Sequence, residues 1–493
     1  MEKRICPSDS LTIASLVFQM IFFSYLPTPI HSLVININEA IAITDLQSKL
    51  DRLWELSAQK LHAIGKHYDI SKGSPVFTVK GSYTTRGWTE WTQGFQFGSA
   101  ILHYDATGDL DQLNYAKEKT VGLMTPHLSH IGVHDHGFNN ISTYGNLLRL
   151  MREEKIPANE WEKNFYELAL KVSGAVQASR WTPIKSDGGF IHSFNGPHSL
   201  FVDTIRSCRS LMVSHKLGHV LQSENDLTIN LLGRAIKHCE ATAKYSVYYG
   251  AGRDSYDISG RTAHESIFNT KDGNYRCPNS QQGYSGFTTW TRGLAWAICG
   301  FAEELECLET VDDSDLKPFG GREKIESVYL KAAKATCDFF IAYTPVDGIP
   351  YWDTGAPNLD KLGDYLGKPA NPFNEFEPVD SSAAAIAVQG LLRLGHYLRE
   401  RKDIRGDTYW QAGLTVMDNL LREPYLSTNP EHQGLLLHSV YHWPNGWDYL
   451  PPGSKIPYGE SSMWGDYHFR EAALYLHKLL KGESYYTFYH CVE

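Results

Sequence analysis

The chain has 493 residues, of which 42% are hydrophobic and 21% charged, and its 46 Lys and Arg stand against 56 Asp and Glu for a net charge of −10. That composition belongs to a globular protein with a large core and excludes a disordered chain, a collagen-like repeat and a coiled coil; the acidic balance argues against a broad nucleic-acid surface. Aromatics reach 12%, with 12 Trp and 28 Tyr. Such rings serve core packing and carbohydrate binding alike, so the totals alone do not choose between the two.

The first feature along the chain is LTIASLVFQMIFFSYL at residues 11–26, with Lys3 and Arg4 before it and Pro27 and Pro29 after it. A basic start followed by a short apolar run has the form of a secretory signal peptide and is short for a membrane span. Residues 1–32 are read as a signal peptide or N-terminal extension, and the protein is expected to be exported. The stretch Pro29-Ile30-His31-Ser32 is a poor cleavage signal, so an uncleaved anchor or a misassigned start is the alternative. No later segment is suited to span a bilayer. From 33 to 493 there is no linker or low-complexity tract, which predicts a single domain. None of the eight cysteines forms a C-x-x-C pair, against a zinc ribbon or a thioredoxin-type motif. Several lie in apolar helical runs, as Cys299 does in AWAICGFAEEL, and buried free thiols are expected.

Helical periodicity dominates. Amphipathic stretches fall at 43–66, 109–124, 138–152, 158–178, 224–247, 324–343 and 406–422, and strand-like alternation is scarce. A looser repeat lies over these. Six times, a loop with an aromatic or acidic residue leads into a helix rich in small residues, at Trp91, His134-Asp135, Asp203, Trp290, Asp380 and Trp464. Small-faced helices alternating with amphipathic ones predict an all-α toroid of six hairpins, an (α/α)6 barrel. If those six loops open on one end, helix N-termini converge there and favour anions. Asp380-Ser381-Ser382 also reads as a simple N-cap.

The same loops carry the residues fit for chemistry. His134-Asp135-His136 has no further ligand cluster at a metal spacing, so no metal is assigned; a carboxylate flanked by imidazoles suits acid–base work. Asp203, in SLFVDTIRS, is either a helix N-cap or one of a carboxylate pair. Burial beside a second acid would raise its proton affinity and keep it protonated near neutrality. Two acids on separate inner loops fit the paired-carboxylate logic of glycoside cleavage. Arg292 and Trp296 stand four apart on one helical face, and a guanidinium recognises a carboxylate as a fork. His264 and Gln282 precede that helix and would be unremarked loop residues on their own.

Taken together, WTQGFQFG, HDHGF, the acid in FVD, QGYSGFTTWTRGLAWAICGF, GIPYWD, DSSAAAIA and GESSMWGDYHFREAALYL resemble the unsaturated glucuronyl hydrolases of glycoside hydrolase family 88, from about Trp88 to Leu476. The resemblance implies an (α/α)6 barrel that removes a 4,5-unsaturated uronic acid from the non-reducing end of lyase-generated oligosaccharides. It implies protonation of C4 and addition of water at C5, with no cofactor. It further implies Asp203 as general acid/base, Asp135 as the second acid, and Trp91, His134, His264, Gln282, Arg292 and Trp296 as substrate-binding residues. Ser461 and Ser462 would meet the next sugar. The partner is then the unsaturated uronyl oligosaccharide, with no nucleic acid and no stable membrane association unless the N-terminal segment is retained; the oligomeric state stays open. The sequence departs from the family pattern at His136, Asn139-Asn140, Thr204-Ile205-Arg206-Ser207 and Gly286-Phe287-Thr288, which leaves the uronyl conjugate open. An unsaturated rhamnogalacturonyl hydrolase, a non-catalytic sugar-binding relative and an inverting hydrolase of saturated glycans are the competing readings.

Overall fold

The computed structural model describes residues 34–87, 90–185 and 188–492; the apolar run at 11–26 and Trp88 lie outside them. Twelve helices account for the architecture. The inner six are α2 (Gln93–Thr107), α4 (136–152), α6 (204–216), α8 (Thr291–Leu308), α10 (Ser381–Glu400) and α12 (Met463–Leu480). The outer six are α1 (Gln47–His67), α3 (Leu110–Leu123), α5 (Glu160–Ser179), α7 (Leu231–Tyr245), α9 (Arg322–Tyr343) and α11 (Arg405–Leu420). Each inner helix packs on the next, and α12 closes the ring on α2. This is the (α/α)6 barrel, and its inner helices begin at the six predicted loops.

Burial separates the rings. Every residue of α8 is buried, whereas α3 buries only Leu113, Ala116 and Thr120, at the three- and four-residue spacing of an amphipathic helix. Small residues set the inner spacing. A Cβ on Gly94 of α2 would stand 2.4 Å from the Asn139 backbone of α4, and one on Gly137 of α4 would stand 2.5 Å from the Ser207 backbone of α6. No side chain fits at either contact.

The barrel centre is charged as well as apolar. Arg206 bonds Glu303 at 2.9 and 3.0 Å and Glu471 at 2.5 Å, while Arg209 stands 3.7 Å from Glu303. Two cations and two anions compensate one another where a lone charge would be costly. This explains why Arg206 interrupts an expected apolar run. Polar pairing also explains Asn139 and Asn140. The Asn139 side-chain Oδ1 accepts the Gly94 N–H at 2.8 Å, and the Asn140 side-chain amide donates to Ser173 Oγ at 2.9 Å.

Short strands, which the sequence pattern did not reveal, decorate the barrel, most of them in the connections that lead into the inner helices, at the end where the site lies. Ser199–Phe201 pairs antiparallel with Glu265–Asn269, placing Phe201 opposite Glu265. The Val202 N–H then donates to the His264 carbonyl at 2.9 Å. At two to six residues these strands are too short for alternation to register. All seven described cysteines are free, six buried and Cys277 exposed. Among the described residues no helix is long and apolar enough to cross a membrane.

Candidate active site

The inner-helix starts supply the wall of a cavity of about 170 Å³, among them Trp91, His134, Asp135, Asp203, Arg292 and Trp296. Acids begin three of these helices and behave differently. Asp380 caps α10, accepting from the Ser382 N–H at 3.1 Å. Asp135 and Asp203 hold N-cap positions on α4 and α6, yet neither side chain caps its helix. Both face the cavity instead, so capping explains Asp380 and does not explain the other two.

His134 joins those two acids. Its Nε2 stands 3.4 Å from Asp203 Oδ1 and 3.6 Å from Asp135 Oδ1, ion-pair distances for three buried groups. Burial is the largest influence on each and opposes charge. In His134 it is overcome by the two carboxylates, and the imidazole is raised above its ordinary value. Asp135 is raised, by burial first and by the Asp203 charge, against the pull of His134. Asp203 moves the other way. The close His134 imidazole, His264 and the Thr204 N–H outweigh burial and lower it. The expectation of an Asp203 held protonated by burial is therefore corrected: the imidazole faces it directly, and Asp135 becomes the acid with raised proton affinity.

Aromatic rings form the rest of the wall. Trp91 stacks on Trp464 at 5.1 Å and donates through Nε1 to the Tyr441 hydroxyl at 3.4 Å. Trp296 packs on Phe138 at 5.0 Å and on His468 at 4.9 Å, above the Arg206 cluster. Flat rings around a polar centre are the complement of a sugar, with its apolar ring faces and polar rim.

Arg292 reaches the cavity, but its donors are directed at the protein. Nη1 pairs with Asp380 at 2.7 Å and also bonds the Val440 carbonyl; Nη2 bonds Gln282 Oε1 at 2.9 Å and the Tyr441 carbonyl at 2.7 Å. It ties α8, α10, the Gln282 segment and the 440–441 loop together. Gln282 lines the cavity with its side-chain oxygen engaged by Arg292. His264 stands behind the wall. Its Nδ1 accepts the Gln281 and Gln282 N–H groups at 3.1 and 3.3 Å, which places the proton of the neutral ring on the buried Nε2. Burial takes this imidazole down to about 4.

Ser461 and Ser462 are absent from the cavity wall. Both are buried, Ser462 capping α12 through the Gly465 N–H at 3.2 Å and Ser461 N–H donating to Thr78 at 2.8 Å. His136 is also structural: Nδ1 meets Ser173 at 3.1 Å and Nε2 meets the His130 carbonyl at 3.0 Å.

The loop at 441–447 was not anticipated. Tyr441, His442, Asn445 and Trp447 all line the cavity, and half-buried Asp448 holds the loop by accepting the Tyr441 and His442 N–H groups at 2.5 and 3.0 Å. The cluster of Tyr441, His442, Trp443 and Trp447 around a Pro-Asn-Gly turn was the available signal. Val133, Phe138, Phe194, Phe201, Gln281 and Trp290 complete the additions.

The model of Glycosyl Hydrolase Family 88 matches residues 74–320, half of the chain. The unsaturated glucuronyl hydrolase of Formosa agariphila is 25% identical over 78% of this chain and 79% of its own length. That of Bacillus sp. strain GL1 is 26% identical over 87% of this chain and 96% of its own length. The crystal structure of the Bacillus sp. GL1 unsaturated glucuronyl hydrolase, responsible for the degradation of glycosaminoglycan, superposes with a TM-score of 0.66 at 22% identity, covering 90% of this chain and 99% of that one. The chain belongs to glycoside hydrolase family 88.

Proposed function

We propose that this protein is an unsaturated glucuronyl hydrolase. It releases a 4,5-unsaturated uronic acid from the non-reducing end of oligosaccharides left by polysaccharide lyases. The observation that carries the reading is the His134 imidazole set between Asp135 and Asp203 at the floor of an aromatic cavity. Family membership and relatives named unsaturated glucuronyl hydrolase support it.

Asp203 delivers a proton to C4 of the enol ether, and the electron pair of the double bond forms the new C–H bond. Positive charge develops at C5 and the ring oxygen. Water adds at C5 and gives up a proton to the Asp203 carboxylate. The resulting hemiketal opens, and the former glycosidic carbon becomes a hemiacetal that expels the remaining sugar. One water is consumed, and Asp203 ends as it began. An arriving uronate adds negative charge beside Asp203 and raises its proton affinity, which loads it for the first step. Asp135 holds sugar hydroxyls and, through His134, sets the charge on Asp203.

The raised proton affinity of Asp135 favours one second reading, in which the two acids exchange roles and Asp135 carries the C4 proton. The test is a panel of lyase-generated unsaturated disaccharides, each beside its saturated counterpart. Loss of the ultraviolet absorbance of the conjugated double bond, with saturated sugars untouched, is the expected result. Cleavage of the saturated sugars instead would overturn it.

A further inference from the structure

The outer helix α5 carries a polar stripe on the face it presents to the loop before α4. Ser173 and Gln177 stand four apart on one face of the helix, and Arg180 follows three residues later as its C-cap. All three are buried. Ser173 Oγ meets His136 Nδ1 at 3.1 Å and accepts from Asn140 at 2.9 Å. Gln177 donates to the His134 carbonyl at 2.9 Å. Arg180 bonds the Ile131 carbonyl through Nη1. The stripe therefore grips the chain before, at and after His134-Asp135.

Arg180 does more than the other two. Its Nε donates to the His192 carbonyl at 3.1 Å and its Nη2 to the Ser193 carbonyl at 2.7 Å. Ser193 is joined to Ser199 through its N–H at 2.9 Å and through the paired hydroxyls at 2.6 Å. Ser199 begins the strand that ends at Phe201, two residues before Asp203. Phe194, next to Ser193, lies parallel to the His134 ring at 6.0 Å. One guanidinium thus holds the segment that bears Asp135 and the segment that leads to Asp203.

We infer that Arg180 is a positioning residue that sets the separation of the Asp135 and Asp203 segments and adds a fixed positive charge behind His134. The inference rests on the proposed function only for its catalytic consequence. The charged and titratable groups around Arg180 and the site are His130, His134, Asp135, His136, His192, Asp203, His238, His264, Arg292 and His442. Arg180 disfavours protonation of His134 and favours ionisation of Asp135. Its guanidinium is itself disfavoured by burial and supported by Asp135. Its directed bonds end on carbonyl groups, so its charge is left to act on the neighbouring imidazole and acids.

The test compares the full-length protein with Arg180→Gln and Arg180→Lys. The readouts are kcat and KM against pH and the titration of the His134 imidazole, followed by NMR on histidine-labelled protein and assigned with His134→Asn. In Arg180→Gln, His134 should titrate at higher pH than in the wild type, and kcat should fall roughly 10- to 100-fold, a misplacement effect, with KM little changed. Arg180→Lys keeps the charge but cannot span three carbonyls; it should leave the His134 titration near the wild-type position while kcat still falls.

An unshifted His134 in folded Arg180→Gln would overturn the inference, whatever happens to kcat, because a merely structural residue gives that result. If Arg180→Gln fails to fold, Arg180→Lys decides, and an unchanged kcat in it would overturn the inference. A wild type inactive on every uronide would count against the proposed function, while the His134 titration would still decide the role of Arg180.

Discussion

His134 stands 3.4 Å from Asp203, and that contact sets the charge state of the site. Without the imidazole, burial would dominate and Asp203 would hold its proton to higher pH. In His134→Gln the alkaline limb of the rate profile, where Asp203 loses the proton it must deliver, should therefore move upward, and turnover should fall roughly 100-fold, the low end of the range for acid–base groups. A kcat–pH profile of the two proteins checks both. Stability follows the same signs. Asp203 is lowered, so its contribution is present above the ordinary carboxylate value and is lost as pH falls. His134 is raised, so its contribution is present below the ordinary imidazole value and is lost as pH rises through its raised one. The pair stabilises the fold most between the ordinary carboxylate and ordinary imidazole values.

Arg292 should be more costly to lose for stability than a pure substrate contact. Replacing it by Met leaves Asp380 buried without its cation and strands the Val440 and Tyr441 carbonyls. The expected loss is about 3–5 kcal/mol, the range for breaking a buried pair. Arg292→Lys should recover only part of it, since an ammonium cannot reproduce the fork. Denaturant unfolding of the three proteins measures this.

Trp91 should matter to binding more than to folding. It is partly buried, stacked on Trp464, and presents the cavity wall. Trp91→Ala should raise KM by roughly fivefold, in keeping with about 1 kcal/mol for an aromatic contact beyond its buried area. Trp91→Phe should recover most of the loss, and steady-state kinetics on the best uronide of the panel reads both.

The serines before α12 separate a structural role from a binding one. Ser462→Ala removes a helix cap and should cost about 1 kcal/mol of stability with KM unchanged. Ser461→Ala should leave KM unchanged as well, because its hydroxyl is buried without a partner and away from the cavity wall. A rise in KM for either variant would restore the sugar contact expected from the sequence.

The six helix starts were legible because each combines a loop residue with a run of small residues, a local pattern. Trp91, His134, Asp135, Asp203, Arg292 and Trp296, at or just inside those starts, line one cavity, and Gln282, which only the family resemblance singled out, joins them. The 441–447 loop was not legible. Asp448 closes the loop locally, but the loop is tied to the cavity by Arg292, 149 residues away, and that contact is tertiary. The split between the two acids was read with the wrong sign for the same reason: sequence supplies two carboxylates, but only geometry says which one the His134 and His264 rings favour. His264 and the two serines sit one layer behind the wall, a distinction that spacing along a chain does not contain.

The most direct measurement is turnover of an unsaturated disaccharide by the wild type, Asp203→Asn and Asp135→Asn, each with binding of the same sugar measured on the folded variant. The account predicts that Asp203→Asn binds the sugar and leaves its double bond intact, while Asp135→Asn retains a measurable residue of turnover. An Asp203→Asn protein that consumes the double bond at the wild-type rate would contradict it, and activity lost only in Asp135→Asn would transfer the proton to that acid.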